Sequence, residues 1–576
     1  MHGGSEGNDI QAIIAQKRLE IAGKPGIAGL IANRKSFLIA VFASLGGLVY
    51  GYNQGMFGQI SGMHSFSEAA GVGKIQDNPT LQGLLTSILE LGAWVGVLMN
   101  GYVADRVGRR WSVVFGVAWF ILGVIIQACT HGSNYQFILG GRFIVGVGVG
   151  ILSMIVPLYN AEVAPPEIRG SLVALQQLAI TFGIMISYWI TYGTNFIGGT
   201  GDGQSKAAWL VPICIQMVPA VILGSCIFLM PESPRWLMNE GNEEKCLDVL
   251  SRLRNLDRNN ELIQMEFLEM KAQKLFEQEL EVTAYPDLQD GSASSRFKIG
   301  FLQYKSMITH YPTFKRVAVA CLIMTFQQWT GVNFILYYAP FIFATLGLTG
   351  NTTSLLASGV VGIVMFLATI PAVLWVDQLG RKPVLISGAL LMGMCHFVVA
   401  GILGGLHGDF TTNPGAGWAA VVFIWLFAIF FGYSWGPCAW VIVAEVFPLG
   451  LRAKGVSIGA SSNWLNNFAV AMSTPDFVAK AKYGAYIFLG LMCVFGAAYV
   501  YFFTPETKGR TLDEIDELFG DTSGVSRREA EIHNRIIKEV GLLELVGLED
   551  LDSDKSKGGD VQYQEEKVAD ADADSA

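Results

Sequence analysis

Along most of this chain, polar residues punctuate long apolar runs rather than alternating with apolar ones, which is the pattern of buried or membrane-spanning helices. Twelve runs approach the roughly 20 residues an α-helix needs to cross a bilayer's hydrocarbon core. They cover 37–57, 82–104, 111–129, 136–158, 171–193, 208–229, 316–346, 354–376, 383–404, 418–444, 454–474 and 485–503. The pattern predicts an all-α membrane protein of twelve transmembrane helices, spans 1 to 12. The stretch from Pro231 to Lys315 separates six from six. Within it, Glu243–Arg254 and Glu261–Glu281 are charged, with Leu, Met and Phe at helical intervals, which predicts short helices lying against the membrane part. Beyond Gly520 the chain turns acidic and ends in "EEKVADADADSA". That composition predicts disorder, apart from a helix around Arg527–Leu545.

Basic residues set the orientation. With the N-terminus in the cytoplasm, the inner loops hold Arg106, Arg109, Arg110, Arg169, Arg381, Lys382, Arg452 and Lys454, and the outer loops only Lys74, Lys206, Lys480 and Lys482. The positive-inside rule then places both termini in the cytoplasm, with the plasma membrane the expected location. The expected segments are a cytoplasmic N-terminal piece 1–36, a six-helix half 37–230, a cytoplasmic loop 231–315, a second half 316–504 and a cytoplasmic tail 505–576. The opening 35 residues lack an apolar core of signal-peptide length, so span 1 is expected to direct insertion.

Composition agrees with this reading. The chain is 52% hydrophobic and 15% charged, against about 25% charged in soluble domains, and its mean hydropathy is +0.42. The net charge of −9 sits largely in the tails. Eight cysteines are scattered singly, without metal-ligand spacing or a disulfide framework. No metal or cofactor is expected, no nucleophile and base cluster marks an enzyme, and nothing points to nucleic acid.

The two halves repeat each other. Asp105-Arg106-Val107-Gly108-Arg109-Arg110 after span 2 is answered by Asp377-Gln378-Leu379-Gly380-Arg381-Lys382 after span 8. "EVAPPEIRG" from Glu162 after span 4 matches "EVFPLGLRA" from Glu445 after span 10. "PESPR" from Pro231 after span 6 matches "PETKGR" from Pro505 after span 12. Parallel halves related by an axis along the membrane normal are a transporter plan, with substrate bound near the midplane between them.

With these motifs go "GGRFIVGVGVG" (140–150), "QQWTGVNFILYY" (327–338), "WVIVAEVFPLGLRAKG" (440–455) and "PETKGRTLDEID" (505–516). Taken together, the sequence from about 37 to 518 resembles the sugar porter family of the major facilitator superfamily, most of all its fungal monosaccharide carriers. The resemblance implies the major facilitator fold, a functional monomer in the bilayer, and movement of a hexose, pentose or similar sugar by alternating access.

Three groups of residues carry the expected chemistry. Asp105, Arg109, Glu162, Arg169, Glu232, Arg235, Asp377, Arg381, Glu445, Arg452, Glu506 and Arg510 pair acids with bases at inner span ends. Such charge-assisted bonds between neighbouring helices would form a cytoplasmic latch, although basic residues also sit there simply to set topology. Amides form the second group, because an amide both donates and accepts toward sugar hydroxyls without a net charge to bury. Gln177, Thr181, Ile184 and Tyr188 share one face of span 5. Gln327 and Gln328 precede Gly331 and Asn333 in span 7, and Asn463 and Asn467 stripe span 11. The resemblance maps sugar contacts onto Gln177, Gln327, Gln328, Asn333, Trp440 and Asn463, with Tyr337, Tyr338 and Trp464 nearby. Helix-to-helix bonding is the alternative role of these amides, most evenly balanced at Asn467. Met365 and Gly432 depart from the family pattern, where many members carry an Asn and some a Glu.

The third group is buried charge, which is costly inside a membrane and so marks function. Glu90 and Arg142 lie far from any span end. In proton-coupled sugar porters the position of Asn53 holds an Asp, whose protonation releases the span 4 Arg. Asn53 cannot titrate, so the resemblance implies facilitated diffusion, with Asn53 facing the central cavity across from Arg142. Glu90 remains either a fixed counter-charge for Arg142 or a replacement coupling group in a proton symporter. A membrane sugar sensor is the alternative from another class. The glycines of "GVGVG" suit close helix packing rather than a nucleotide site, His396 suits a packed or helix-bonding role, and Asn351-Thr352-Thr353 is a glycosylation sequon.

Overall fold

The computed structural model describes residues 27–546 except 74–76, 133, 166–167, 291, 349–350, 407–409, 411–412, 448–450, 508–518 and 520–524, together with Ile14, Lys17, Glu20 and Ile21. Arg510, Lys74, most of the motif at 505–516 and the acidic end of the tail lie outside the described residues. No strand occurs among those described.

The larger of two compact units holds residues of 25–236 and 296–521. Its helices follow the predicted spans in order. Span 1 is Arg34–Ala43 with Leu45–Ile60, span 2 Pro79–Val107, span 3 Arg109–Ala128, span 4 Gln136–Val163, span 5 Arg169–Thr194 and span 6 Ala207–Ile215 with Met217–Cys226. Span 7 is Tyr311–Trp329 with Val332–Thr345, span 8 Asn351–Leu379, span 9 Arg381–Gly405, span 10 Pro414–Tyr433 with Trp435–Glu445, span 11 Arg452–Ala481 and span 12 Tyr483–Phe503. Among the described residues, eleven of these are long and apolar enough to cross a membrane. Span 11 is the twelfth. Its 30 residues rise about 45 Å at 1.5 Å each, ample for the crossing, but Asn463, Asn466 and Asn467 dilute its hydropathy.

Spans 2 and 4 interlock through glycine. A Cβ on Gly92 would stand 2.1 Å from the Phe143 carbonyl oxygen, and one on Gly146 would stand 2.0 Å from that of Leu89. In lipid, where apolar burial drives little association, such close backbone approach is a main source of helix pairing. The "GVGVG" stretch is therefore a packing surface. Its position also brings the backbones beside Glu90 and Arg142 into contact.

Spans 1, 6, 7 and 10 are each broken near the middle. The break in span 7 falls at Gly331, whose φ of +95° is a left-handed conformation that costs a residue with a Cβ roughly 1 kcal/mol or more. His396 supports this break, with Nε2 2.9 Å from the Thr330 carbonyl oxygen.

The smaller unit draws on the N-terminal residues, on 237–295 and on the tail. It contains α1 (Glu243–Arg254), α2 (Glu261–Ala284), α3 (Val525–Glu539) and α4 (Leu542–Val546). Ile14, Met265, Ala272, Phe276, Ile536, Ile537, Leu542 and Val546 form one apolar core. Lys17 Nζ donates to the Val546 carbonyl at 2.7 Å, a cation at a helix C-terminus where the dipole favours it. Inside α1, burial pushes the Cys246 thiol up to about 12, with Glu243 adding to the effect.

Candidate functional site

The break in span 7 separates Gln327 and Gln328 from Asn333, and the bend turns all three inward, where each is buried. Asn333 sits at the centre of an amide network. Its Nδ2 donates to Gln328 Oε1 at 2.7 Å and to Asn467 Oδ1 at 2.8 Å, while its own Oδ1 accepts from Gln54 of span 1. Gln54 belongs to the first half and Asn333 to the second, so this amide pair crosses between them. A second amide pair lies beside it. Asn463 Nδ2 donates to Gln327 Oε1 at 2.6 Å, and Gln327 Nε2 donates to the Trp435 carbonyl at 2.8 Å, beside the break in span 10.

Gln177 is half-buried and faces the second half, where a Cβ on Gly436 would stand 3.4 Å from its Nε2. Trp440 is half-buried on the same segment of span 10. Trp464 is buried, with its ring 5.3 Å from that of Tyr50 across spans 1 and 11. The structure thus gathers Gln54, Gln327, Gln328, Asn333, Asn463 and Asn467 around the break in span 7. Gln177 and Trp440 stand on elements that meet nearby. Met365 and Gly432 pack together: a Cβ on Gly432 would stand 3.0 Å from the Met365 carbonyl oxygen and 3.4 Å from Thr369 Oγ1, a tight fit for any larger side chain there.

The two buried charges have separate hydrogen-bond partners. Glu90 is 1% exposed and turns toward the second half. Its Oε1 accepts from the Tyr337 hydroxyl at 2.7 Å and its Oε2 from Asn467 Nδ2 at 2.9 Å. Through Asn467 the carboxylate joins the Asn333 network. Arg142, also 1% exposed, instead donates to the Thr86 carbonyl at 2.8 Å. Its guanidinium carbon lies 3.8 Å from the centroid of the Phe57 ring, a cation–π contact. Asn53 does not partner Arg142. It donates to Gln216 Oε1 of span 6 at 2.6 Å, which holds it inside its own half. Gln216 had no place in the expected site, although a lone amide between Pro212 and Pro219 was a visible signal.

At the motif-bearing end, Arg109 forms a two-pronged pair with Glu162, Nε to Oε2 at 2.8 Å and Nη2 to Oε1 at 2.9 Å, and reaches Asp105 at 3.3 Å. Glu232 accepts from the backbone N–H groups of Arg109 at 3.1 Å and Arg110 at 3.4 Å, which satisfies the start of span 3. Burial pushes the Glu232 carboxyl above the usual range, against the pull of the N–H groups of Ser233, Arg110 and Arg109. The second half repeats the plan. Arg381 pairs with Glu445 at 2.9 Å, and Glu506 accepts from the N–H groups of Arg381 at 3.0 Å and Lys382 at 2.9 Å. Every one of these bonds stays within one half. Arg169 is half-buried and Arg235 exposed, while the side chains of Asp377, Arg452 and Asn351 lie outside the described residues.

The chain matches the model of the "Sugar (and other) transporter" family over residues 39–519. It is 33% identical to a high-affinity glucose transporter of Kluyveromyces lactis, covering 84% of this chain and 85% of that one. It is 29% identical to a quinate permease of Emericella nidulans, covering 93% and 97%. Among solved structures it resembles the proton:xylose symporter XylE bound to a bromodeoxyglucose, at 28% identity and a TM-score of 0.67, over 84% of this chain and 99% of that one. XylE is from E. coli.

Proposed function

The chain belongs to the sugar (and other) transporter family, a membrane transporter rather than an enzyme, and from that premise we propose that it carries a neutral monosaccharide by facilitated diffusion. The motif-bearing end faces the cytoplasm in this reading, and the bilayer is that of the plasma membrane. The amide network around Asn333 supports a sugar as cargo, since it offers donors and acceptors in equal measure. Quinate, the named cargo of the Emericella nidulans relative, carries a carboxylate. Among the described residues the amide cluster holds no cationic side chain to receive one, which favours a neutral polyol. The observation that carries the facilitator reading is Asn53, a neutral amide bonded to Gln216 where proton-coupled relatives place their acid.

Uptake of a panel of hexoses, pentoses, polyols, a disaccharide and quinate, with and without a protonophore, tests both parts. Uptake of a monosaccharide that survives the protonophore is expected; transport of quinate alone would overturn the cargo. Gln328→Ala is expected to raise the half-saturation concentration about tenfold, the loss of one hydrogen bond at a desolvated site. An unchanged value for every transported sugar would remove Gln328 from the site. Asn53→Asp is expected to add a pH dependence that the natural protein lacks.

One observation favours a second reading. Glu90 is a carboxylate joined to the substrate network through Asn467, so it stands where a proton could be coupled to sugar binding. Accumulation against a gradient that Glu90→Gln abolishes, while sugar exchange persists, would establish proton symport in place of facilitated diffusion.

A further inference from the structure

Glu90 and Arg142 are unlike charges on two helices whose backbones touch, yet each is occupied elsewhere. Both carboxylate oxygens of Glu90 are taken by donors from the second half, the Tyr337 hydroxyl and Asn467 Nδ2. Arg142 keeps one bond to Thr86 and the face of Phe57, and its Nε and Nη1 donors find no protein acceptor although the side chain is 1% exposed. A buried guanidinium with two unused donors is costly, and a carboxylate one helix away is the natural acceptor. Both donors that hold Glu90 come from the second half.

Tyr337 and Asn467 sit in a region where the halves are in contact. A Cβ on Gly58 would stand 1.9 Å from the Tyr337 carbonyl oxygen, one on Gly83 2.4 Å from that of Met472, and the Thr80 hydroxyl donates to Asp476 at 3.1 Å. These contacts all lie toward the end opposite the charged motifs, and the structure is closed there. Opening that end withdraws both donors from Glu90 together.

We propose that Glu90 is a two-position strap. When the end opposite the motifs is closed it bonds Tyr337 and Asn467 across the halves, and when that end opens it turns to Arg142 within its own half. The exchange replaces two hydrogen bonds to the carboxylate with an ion pair, so the charge has partners in both states and neither state becomes a trap. Asn467 bonds both Glu90 and Asn333, which places the strap one residue from the sugar-binding amides. Glu90 acts here by positioning the halves, without touching the cargo. The proposal rests on the alternating-access reading, but not on which sugar is carried or on whether protons move.

The test measures conformation rather than transport. Spin labels at Asp77→Cys and Ala479→Cys, exposed positions just before span 2 and on span 11 beside the closed contact, report the distance across that end in the purified full chain, with native cysteines replaced. Tyr337→Phe removes a bond made only when closed and is expected to shift the closed-to-open ratio about tenfold toward the long distance. Arg142→Gln removes the partner used only when open and is expected to shift the ratio toward the short distance. If Arg142→Gln does not yield folded protein, Arg142→Lys is expected to shift the ratio the same way by less. In a Glu90→Gln background both shifts are expected to shrink to less than about threefold. Shifts of the two variants in the same direction, or shifts that persist undiminished without the carboxylate, would overturn the strap. Neither outcome depends on the cargo, so an uptake panel can fail without deciding it.

Discussion

The two ends of the membrane unit are held by different chemistry. At the motif-bearing end the bonds are ionic, and those resolved at the motifs lie inside a half: Arg109 with Glu162, Arg381 with Glu445, Glu232 and Glu506 on the helix starts that follow them. At the other end the contacts lie between halves, backbone against glycine at Gly58 and Gly83 with the Thr80 hydroxyl donating to Asp476 at the rim. The difference teaches a division of labour. Charges that stay within a half make it move as one piece, whereas glycine contacts between halves form and part without desolvating any ion.

The largest effect is expected where that second kind of contact is blocked. Gly58→Leu would drive a side chain into the Tyr337 carbonyl and hold the end open, lowering initial uptake about 100-fold at matched expression. Gly101→Leu is the control, because a Cβ on Gly101 of span 2 meets nothing within 4 Å. It is expected to transport normally. Equal losses in the two variants would mean that the contact at Gly58 has no special part in closure.

Next come the ionic ties, and here the two halves differ. Arg109 and Glu162 are both 7% exposed and joined by two bonds, whereas Glu445 is 32% exposed and its other oxygen accepts from Thr507. Removing one partner of a buried pair strands the other, so Arg109→Met is expected to cost about 3 to 5 kcal/mol of stability. Glu445 would keep Thr507 and water, so Arg381→Met is expected to cost about 1.5 kcal/mol. Thermal unfolding of the solubilised protein compares them, and a larger loss at Arg381 would reverse the ranking drawn from burial.

Much of this arrangement was legible in the sequence. The spans follow from hydropathy, because in lipid a chain must satisfy its backbone internally and so is helical wherever it is apolar for long enough. The loop helices α1 and α2 followed from apolar residues at helical intervals, while the one helix expected around Arg527–Leu545 is two in the structure, α3 and α4, parted at Val540 and Gly541. The break in span 7 was signalled by Gly331, and those at Gln216 and Ser434 by Pro219 and Pro437, which cannot donate to the carbonyls four residues back; the break at Ser44 is followed by Gly46 and Gly47. Glu90 and Arg142 stood out at once, while their partners did not: Tyr337 and Asn467 are separated from Glu90 by 247 and 377 positions, and no local pattern reports such contacts. The contribution of Lys17 and Ile14 to the smaller unit was invisible for the same reason, since their partners lie in the loop and the tail.

The smallest effect is expected at Arg235, and it bears on how far a motif can be trusted. Its neighbours in "PESPR" are engaged: Glu232 accepts from the start of span 3, and Ser233 Oγ accepts from the Trp236 N–H at 3.2 Å. Arg235 itself points to solvent and makes no ion pair among the described residues. A charge in high dielectric with no fixed partner contributes little, so Arg235→Ala is expected to change stability by less than about 0.5 kcal/mol and to leave uptake unaltered, while Glu232→Ala, which strips the acceptor from three N–H groups, loses measurably more. A loss at Arg235 matching that at Arg109 would mean that the motif-bearing end is held together by contacts that form only in the opposite conformation, where Arg235 would have a partner.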